Sequence, residues 1–557
     1  MTQSDAATNL RWPGAELRWA AVVAAALMLL TCLPYLYGLA VQGIGHYYSG
    51  FLSNPDEHNV YLAYMRQAQD GHFFFMDPFT SEPQTGRVIN VFFLGLGLCA
   101  RATHLPLPIV YHLARIASGW LLLMSVYWLA AQVLTTVTGR RITLVLAGTA
   151  SGLGWLFQAG PGQPHPIDYG PGLIMPEAIT FLSLLLNPLF CFSMFLMVAT
   201  LGLAAHAFTT GSVRSAVLAG LAALVLGNIH TYDLIPVTAV LTAYLVLLLV
   251  TRCLKARGAA TAPLIAGIAA PSLIYQLWLM RAGDVTLLVK SQETPVLSPG
   301  MLYVGLGLGL PLALAILGAL RTMARGSGSM ARMVGLWLVV GFALIYLPVP
   351  FQRKLAEGLH IPVCVLAVFA LEALWQRADT RRAAWVAVLL VAMSIPSSVL
   401  FVTRAARDLR SNNEDYLGSL MPPVYLRPDQ YEALHWLGER ATRSDVLLCN
   451  SFLGSYAPSL SGTRVYIGHW AETLHFREKL GDVSWFLSGD TSDAAREAFC
   501  QREGVTYVLR DRSIYDELYY LALEGTAARG FDPEGSDWLV PVYHSGRVSI
   551  YRCASAE

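Results

Sequence analysis

"SNPDEHNVYLAYMRQAQDG", residues Ser53–Gly71, follows directly on the first long apolar run of the chain and sets two adjacent acids, Asp56 and Glu57, just beyond it. The stretch reads as a helix with its ends written in. Asn54 is the expected N-cap, Pro55 suits the first helical position, Glu57 three residues after the cap closes a capping box, and Gly71 ends the helix. Both acids also favour the positive end of the helix dipole. The capping box uses Glu57 alone, however, and leaves Asp56 without a structural task. A carboxylate so placed, next to a membrane surface, is available to take a proton.

The rest of the chain supplies that membrane. Of 557 residues, 55% are hydrophobic and 13% charged, against roughly 25% charged in soluble proteins. The net charge of +1 gives no basic field of the kind that marks nucleic-acid partners. Runs long enough to cross, about 17–25 residues each, fall near 19–40, 109–137, 142–158, 179–209, 213–230, 232–250, 261–281, 300–320, 332–349, 360–376 and 382–403, which predicts about eleven spans. The run that opens the chain is longer than the apolar core of a signal peptide and reads as a retained span. Arg and Lys gather in alternate short connections, from Arg140 and Arg141 through Arg252, Lys255 and Arg257 to Arg381 and Arg382. Those connections are expected on the cytoplasmic side. The shorter apolar piece from Val88 to about His104 breaks the alternation if it crosses, so it is read as an interfacial or re-entrant helix. With an odd number of crossings the N-terminus lies inside and everything after about Arg404 outside, which in a bacterium is the periplasm or the cell exterior.

This divides the chain into a transmembrane part, 1–403, carrying a long outer loop at 41–108, and an outer domain, 404–557. In the latter, "DVLLCN" (445–450), "TRVYIGH" (463–469), "VTYVLR" (505–510), "WLVPVYH" (538–544) and "RVSIYR" (547–552) read as strands. Residues 428–441 and 491–504 read as amphipathic helices, so the domain is expected to be α/β. It carries no Gly-rich nucleotide loop. The eight cysteines show no zinc spacing, and only Cys449, Cys500 and Cys553 lie where a disulfide is open to them. The remaining outer segments, 158–177, 281–299, 350–360 and the turn "NIHTYD" (228–233), bring polar side chains to the same face, the sign of a site built there.

A first span, then a long outer loop opening with adjacent acids in "PDEHNVYLAY", then an interfacial helix before the second span, resembles the C superfamily (GT-C) of integral-membrane glycosyltransferases. Protein O-mannosyltransferases and the lipid A aminoarabinose transferase are members. The resemblance covers about 1–400. It implies a polyprenyl-phosphate-linked sugar donor, a periplasmic site in the cytoplasmic membrane and inversion at the sugar carbon. The acceptor, be it glycan, lipid or protein, stays open because the outer domain does not match those subfamilies.

The residues fit such chemistry. Asp56, with Glu57 beside it, is the candidate base for an acceptor hydroxyl. "PFQRKLAEGLH" offers Arg353, Lys354 and His360 for the lipid phosphate, although Arg and Lys near helix ends also serve as snorkelling anchors. Arg281 and Lys290 are weaker alternatives. His230 and Asp233 are candidate substrate contacts or a hydrogen-bonded helix end. Glu177 suits a first helical turn, Asp77 before a proline suits a turn, and His469 with Glu472 in "GHWAETLHF" forms a candidate sugar-contacting lip or a packing contact. No cofactor is firmly implied. If a divalent metal is used, Asp56, Asp77, Asp168 and Glu177 are the oxygen ligands on offer. Two other classes stand beside the transferase: a transporter or flippase, which calls for midplane ionisable groups and an internal repeat, and a non-catalytic scaffold of envelope assembly.

Overall fold

The computed structural model describes residues 14–157, 175–281, 295–324, 327–375, 380–412, 422–512 and 530–554. Among them eight helices are long and apolar enough to cross a membrane: Ala15–Val41, Leu107–Val133, Pro188–Thr210, Thr231–Val250, Ala256–Arg281, Met301–Thr322, Gln352–Trp375 and Trp385–Ser411. The other three expected spans form shorter helices, Val137–Thr149, Val213–Ile229 and Ser329–Leu344. At 1.5 Å per residue a 13-residue helix such as Val137–Thr149 is about 20 Å long, less than the roughly 30 Å hydrocarbon core. An apolar run does not disclose where its helix stops. Here the backbone becomes extended at Ala150, and the Ser151 amide bonds to the Ser394 carbonyl instead of continuing the helix. The run from Val88 to about His104 forms a helix at Val91–Thr103, capped by Asn90.

The chain folds into two compact units that do not follow the expected division at residue 403. One comprises the chain up to Leu33, His112–Trp278 and Pro295–Arg404; the other includes Pro34–Tyr111 and the chain from Ala405. In the first unit one buried charge is satisfied locally. Arg115, almost fully buried, donates to Thr31 Oγ1 at 2.6 Å and to the Leu184 carbonyl at 2.9 Å. Helices approach closely where small residues permit: a Cβ on Gly318 would lie 2.2 Å from the Leu366 carbonyl oxygen.

In the second unit the loop expected at 41–108 is built into the C-terminal domain. The strands are β1 Tyr47–Tyr48, β2 Tyr425–Leu426, β3 Val446–Leu448, β4 Arg464–Val465, β5 Tyr507–Asp511, β6 Leu539–Ser545 and β7 Val548–Cys553. β1 pairs antiparallel with β2, and the other five form one sheet in the order β4-β3-β5-β7-β6. β3 runs parallel to β4 and β5, while β5-β7-β6 is antiparallel. All five strand runs read from the sequence are thus present. Helices cover both faces, including Ser451–Ser461 and Phe476–Leu487, which the sequence reading lacked. Val60 and Ala63 of helix Pro55–Gln69 and Phe79 of the outer loop join the core formed by Leu434, Leu437, Leu453 and Tyr456. Lys479 reaches into the same loop, 2.8 Å from Glu82. Cys449, Cys500 and Cys553 are buried and unbridged.

Candidate functional site

Helix Pro55–Gln69 starts and stops where expected, with Gly71 left-handed at φ +99°, but its N-terminus is made differently. Asn54 adopts φ 46°, ψ 57°, and its side chain makes no capping bond. An N-cap needs an extended backbone to swing its side-chain oxygen over the second and third helical amides. The left-handed conformation points it elsewhere, so the expected capping box is absent. Glu57 instead accepts a hydrogen bond from the Tyr61 hydroxyl one turn on, at 2.9 Å. Glu57 is therefore not spent on a capping box, while Asp56 meets the amides of the first turn.

Both acids face a histidine from the C-terminal domain. His469 Nε2 lies 3.7 Å from Asp56 Oδ2 and 3.5 Å from Glu57 Oε2. His469 itself is buried, its Nδ1 accepting from the Ala471 amide at 3.2 Å. In the neutral form that bond places the ring proton on Nε2, directed at the two carboxylates. The Asp56 side chain is 15% exposed and that of Glu57 47%. Burial pushes the Asp56 carboxyl above its ordinary range, His469 and the first-turn backbone amides oppose this, and the Glu57 charge adds to it. The same turn presents Trp470, half exposed, with its ring 5.9 Å from that of His469, and Glu472 beside it, partly exposed. Asp77 keeps to its turn: Oδ1 accepts from the Phe79 amide at 3.0 Å, and its own amide donates to Gln84 at 2.7 Å.

In the other unit a second group forms around the turn before His360. Its short 3-10 helix, Gln352–Ala356, is laced to the preceding connection by bonds from the Arg353 amide to the Val296 carbonyl and from the Ser298 amide to Gln352 Oε1. Arg353, with 37% of its side chain exposed, has Nε 3.4 Å from Glu177 Oε1. Lys354 Nζ lies 4.9 Å from the centre of the Tyr232 ring. His360, expected to share the phosphate, is buried instead. Its Nδ1 lies 3.1 Å from Thr180 Oγ1, and Cys364 packs on the ring. That placement is a packing contact between helices, and it leaves Arg353 and Lys354 as the cations of the turn.

His230 and Asp233 are brought together as the sequence proposed, and they gain a partner that it did not. Thr231–Asp233 is a single 3-10 turn, in which positions three apart eclipse, so His230 Nδ1 comes within 3.0 Å of Asp233 Oδ2. Glu357, after the neighbouring 3-10 helix, brings Oε2 to 3.4 Å from the same nitrogen. The signal for Glu357 was an acid in the polar turn 350–360, overshadowed by the adjacent cations. Of the expected metal ligands, Asp168 lies outside the described residues, as do Lys290 and most of 158–177 and 281–299. The described group with metal-binding spacing is His230, Asp233 and Glu357.

The sequence matches no family model and no curated protein. Solved structures do resemble it. The oligosaccharyltransferase of Archaeoglobus fulgidus in the apo form aligns with 90% of this chain and 69% of its own at TM-score 0.52 and 14% identity. A variant of the mycobacterial arabinofuranosyltransferase AftD aligns at TM-score 0.52 and 16% identity, over 96% of this chain but 41% of its own, so the present chain spans about two-fifths of that protein. ArnT from Cupriavidus metallidurans, bound to undecaprenyl phosphate, aligns over 95% of this chain and 98% of its own at TM-score 0.50 and 13% identity. At such identities the likeness is one of fold.

Proposed function

We propose that this chain, a multi-pass helical membrane protein with the GT-C glycosyltransferase fold, is itself an inverting glycosyltransferase using a polyprenyl-phosphate-linked sugar. It acts at the outer face of a bacterial cytoplasmic membrane, with the C-terminal domain in the periplasm. The acceptor hydroxyl attacks the sugar carbon, the carbon–oxygen bond to the phosphate breaks, the hydroxyl proton passes to Asp56, and polyprenyl phosphate leaves. The observation that carries this reading is the placement of Asp56: a largely buried carboxylate at a helix start, facing an imidazole at 3.7 Å with a second acid beside it, its pKa raised by burial in spite of the first-turn amides. A base works best when its pKa lies near the working pH, and burial moves Asp56 in that direction.

Arg353 and Lys354 are the proposed holders of the leaving phosphate. A guanidinium can fork onto two phosphate oxygens while lysine supplies a point charge, and fixed cations stabilise the charge that grows on the leaving group. Trp470, exposed beside His469, offers a ring face for a sugar, with Glu472 on the same turn. A transporter is less well supported, because Asp233 and Glu357 stand near the first residues of the spans Thr231–Val250 and Gln352–Trp375 and not at their middles. The test is transfer by the purified, reconstituted protein from a set of polyprenyl-phosphate sugars, followed by mass spectrometry of the product. Asp56→Asn is expected to insert normally and lose transfer. Full activity of that variant would remove Asp56 from the mechanism.

A further inference from the structure

His230, Asp233 and Glu357 pose a problem of charge. Both acid side chains are fully buried, at 0% exposure. None of their four carboxylate oxygens receives a hydrogen bond among the described residues, and neither does His230 Nδ1 have a hydrogen-bond partner there. The three ligand atoms nonetheless lie within 4.8 Å of one another. Two buried carboxylates pressed together are costly unless a cation or a shared proton joins them, and a shared proton would leave both the His230 nitrogen and the remaining oxygens unused. Of the nearby cations, Arg353 lies beside Glu177, and Lys354 sits over the Tyr232 ring, from where its charge reaches Glu357 without a hydrogen bond to it.

We infer that these three side chains form a divalent metal site, with His230 Nδ1 and one oxygen each from Asp233 and Glu357 as ligands. The spacing suits it. Ligands about 2.0–2.2 Å from a common ion lie roughly 3.3–3.6 Å apart in a tetrahedral site and about 2.8–3.1 Å apart in an octahedral one. The separations from His230 Nδ1 are 3.0 Å to Asp233 and 3.4 Å to Glu357. An imidazole among few ligands selects Zn2+ or Mn2+ over Mg2+ and Ca2+, which take oxygen ligands and keep more of them. Two carboxylates balance the charge of such an ion, and three protein ligands leave a position open, the pattern of a reactive site in preference to a closed structural one. The backbone holds the set: His230 and Asp233 share one 3-10 turn, and Gly358 at φ +75° turns the chain directly after Glu357.

Metal content tests this without any assay of transfer. The full-length protein in detergent is stripped with a chelator, dialysed against Zn2+ or Mn2+, freed of excess ion and measured by inductively coupled plasma mass spectrometry. About one ion per chain is expected. Loss of a supporting partner alone commonly weakens metal binding 10–100-fold, so His230→Gln, Asp233→Asn and Glu357→Gln should each weaken it by at least about 100-fold, whereas Asp56→Asn retains the ion. That last variant separates this inference from the transferase reading. A wild-type protein that keeps no ion, or equal retention by Asp233→Asn and Glu357→Gln, overturns the site. Should the variants fail to fold, Co2+ in the wild-type protein decides. A visible spectrum displaced from that of hydrated Co2+, and intense where the ion is four-coordinate, supports the site, and the unchanged spectrum of hydrated Co2+ refutes it.

Discussion

Glu357 and Glu372 stand at opposite ends of one apolar stretch, Gln352–Trp375, and are both buried, yet they live in opposite surroundings. Glu372 accepts from the amides of Thr135 and Thr136 at 3.1 and 2.9 Å and from both hydroxyls. It thereby satisfies the N-terminus of helix Val137–Thr149, and Gly139 keeps the space open, since a Cβ there would lie 2.4 Å from the carboxylate. Glu357 has no such donor. The same side chain in the same membrane-spanning stretch is a structural anchor where donors surround it and a candidate site where they do not. Asp56 stands between the two, with first-turn amides as donors but burial still dominant. Its acid is raised by burial, and the helix start it occupies makes no cap of its neighbour.

The sharpest way to break this division is to remove each acid and ask what is lost. Asp56→Asn should cost function: transfer falls by about 10²–10⁴-fold, the range of a positioned general base. Folding should not suffer. A carboxyl whose pKa is raised in the folded state contributes stability that is present at low pH and lost as pH rises through that raised value. Above it, the asparagine variant should melt no lower than the wild type, which a thermal scan checks.

Glu372→Ala should do the reverse. Removing it takes the carboxylate partner from two amides and two hydroxyls on the more exposed Thr135 and Thr136, and about 1–3 kcal/mol of stability should go, read as a fall in melting temperature. Glu357→Gln in the presence of chelator should melt at or above the wild type, because it deletes one of two crowded buried acids that lack hydrogen-bond donors. A fall of the same size for both variants would erase the distinction between them.

Much of this was legible in the sequence, and what was not has particular causes. Strand runs such as "VTYVLR" and "RVSIYR" announced themselves because β-branched and aromatic residues alternate between turn residues. Helix Ser451–Ser461 did not, since Gly454 and Pro458 punctuate it; Asn450 caps it and packing on both sides holds it. Asp56 was visible because its neighbours spelled a helix start, although the cap they spelled does not form. Glu357 was hidden because its role depends on His230 and Asp233, more than a hundred positions earlier. Nothing in a local pattern reports that the donors it needs are missing.

Arg353→Ala tests the cationic side of the proposed chemistry with a smaller effect. A charge-assisted hydrogen bond is worth about 1.5–3 kcal/mol, so transfer should fall roughly 10–100-fold, with Arg353→Lys recovering part of it by restoring the charge without the fork. Unchanged transfer in both variants would assign Arg353 to its contact with Glu177 alone.

The smallest effects carry the most information about Asp56, because two neighbours push its pKa in opposite directions. Transfer requires the ionised carboxylate, so activity should fall as pH drops through the raised Asp56 pKa. His469 lowers that pKa and Glu57 raises it. His469→Gln removes a stabilising partner while nearly keeping the volume, and the acid limb of the pH–rate profile should move to higher pH. Glu57→Gln removes a like charge, and the limb should move to lower pH. With Glu57 half exposed, solvent screens its charge, and the second shift should be the lesser of the two. Opposite displacements identify the titrating base as the carboxylate between these two residues. Displacement in the same direction, or none, means that another group sets the profile.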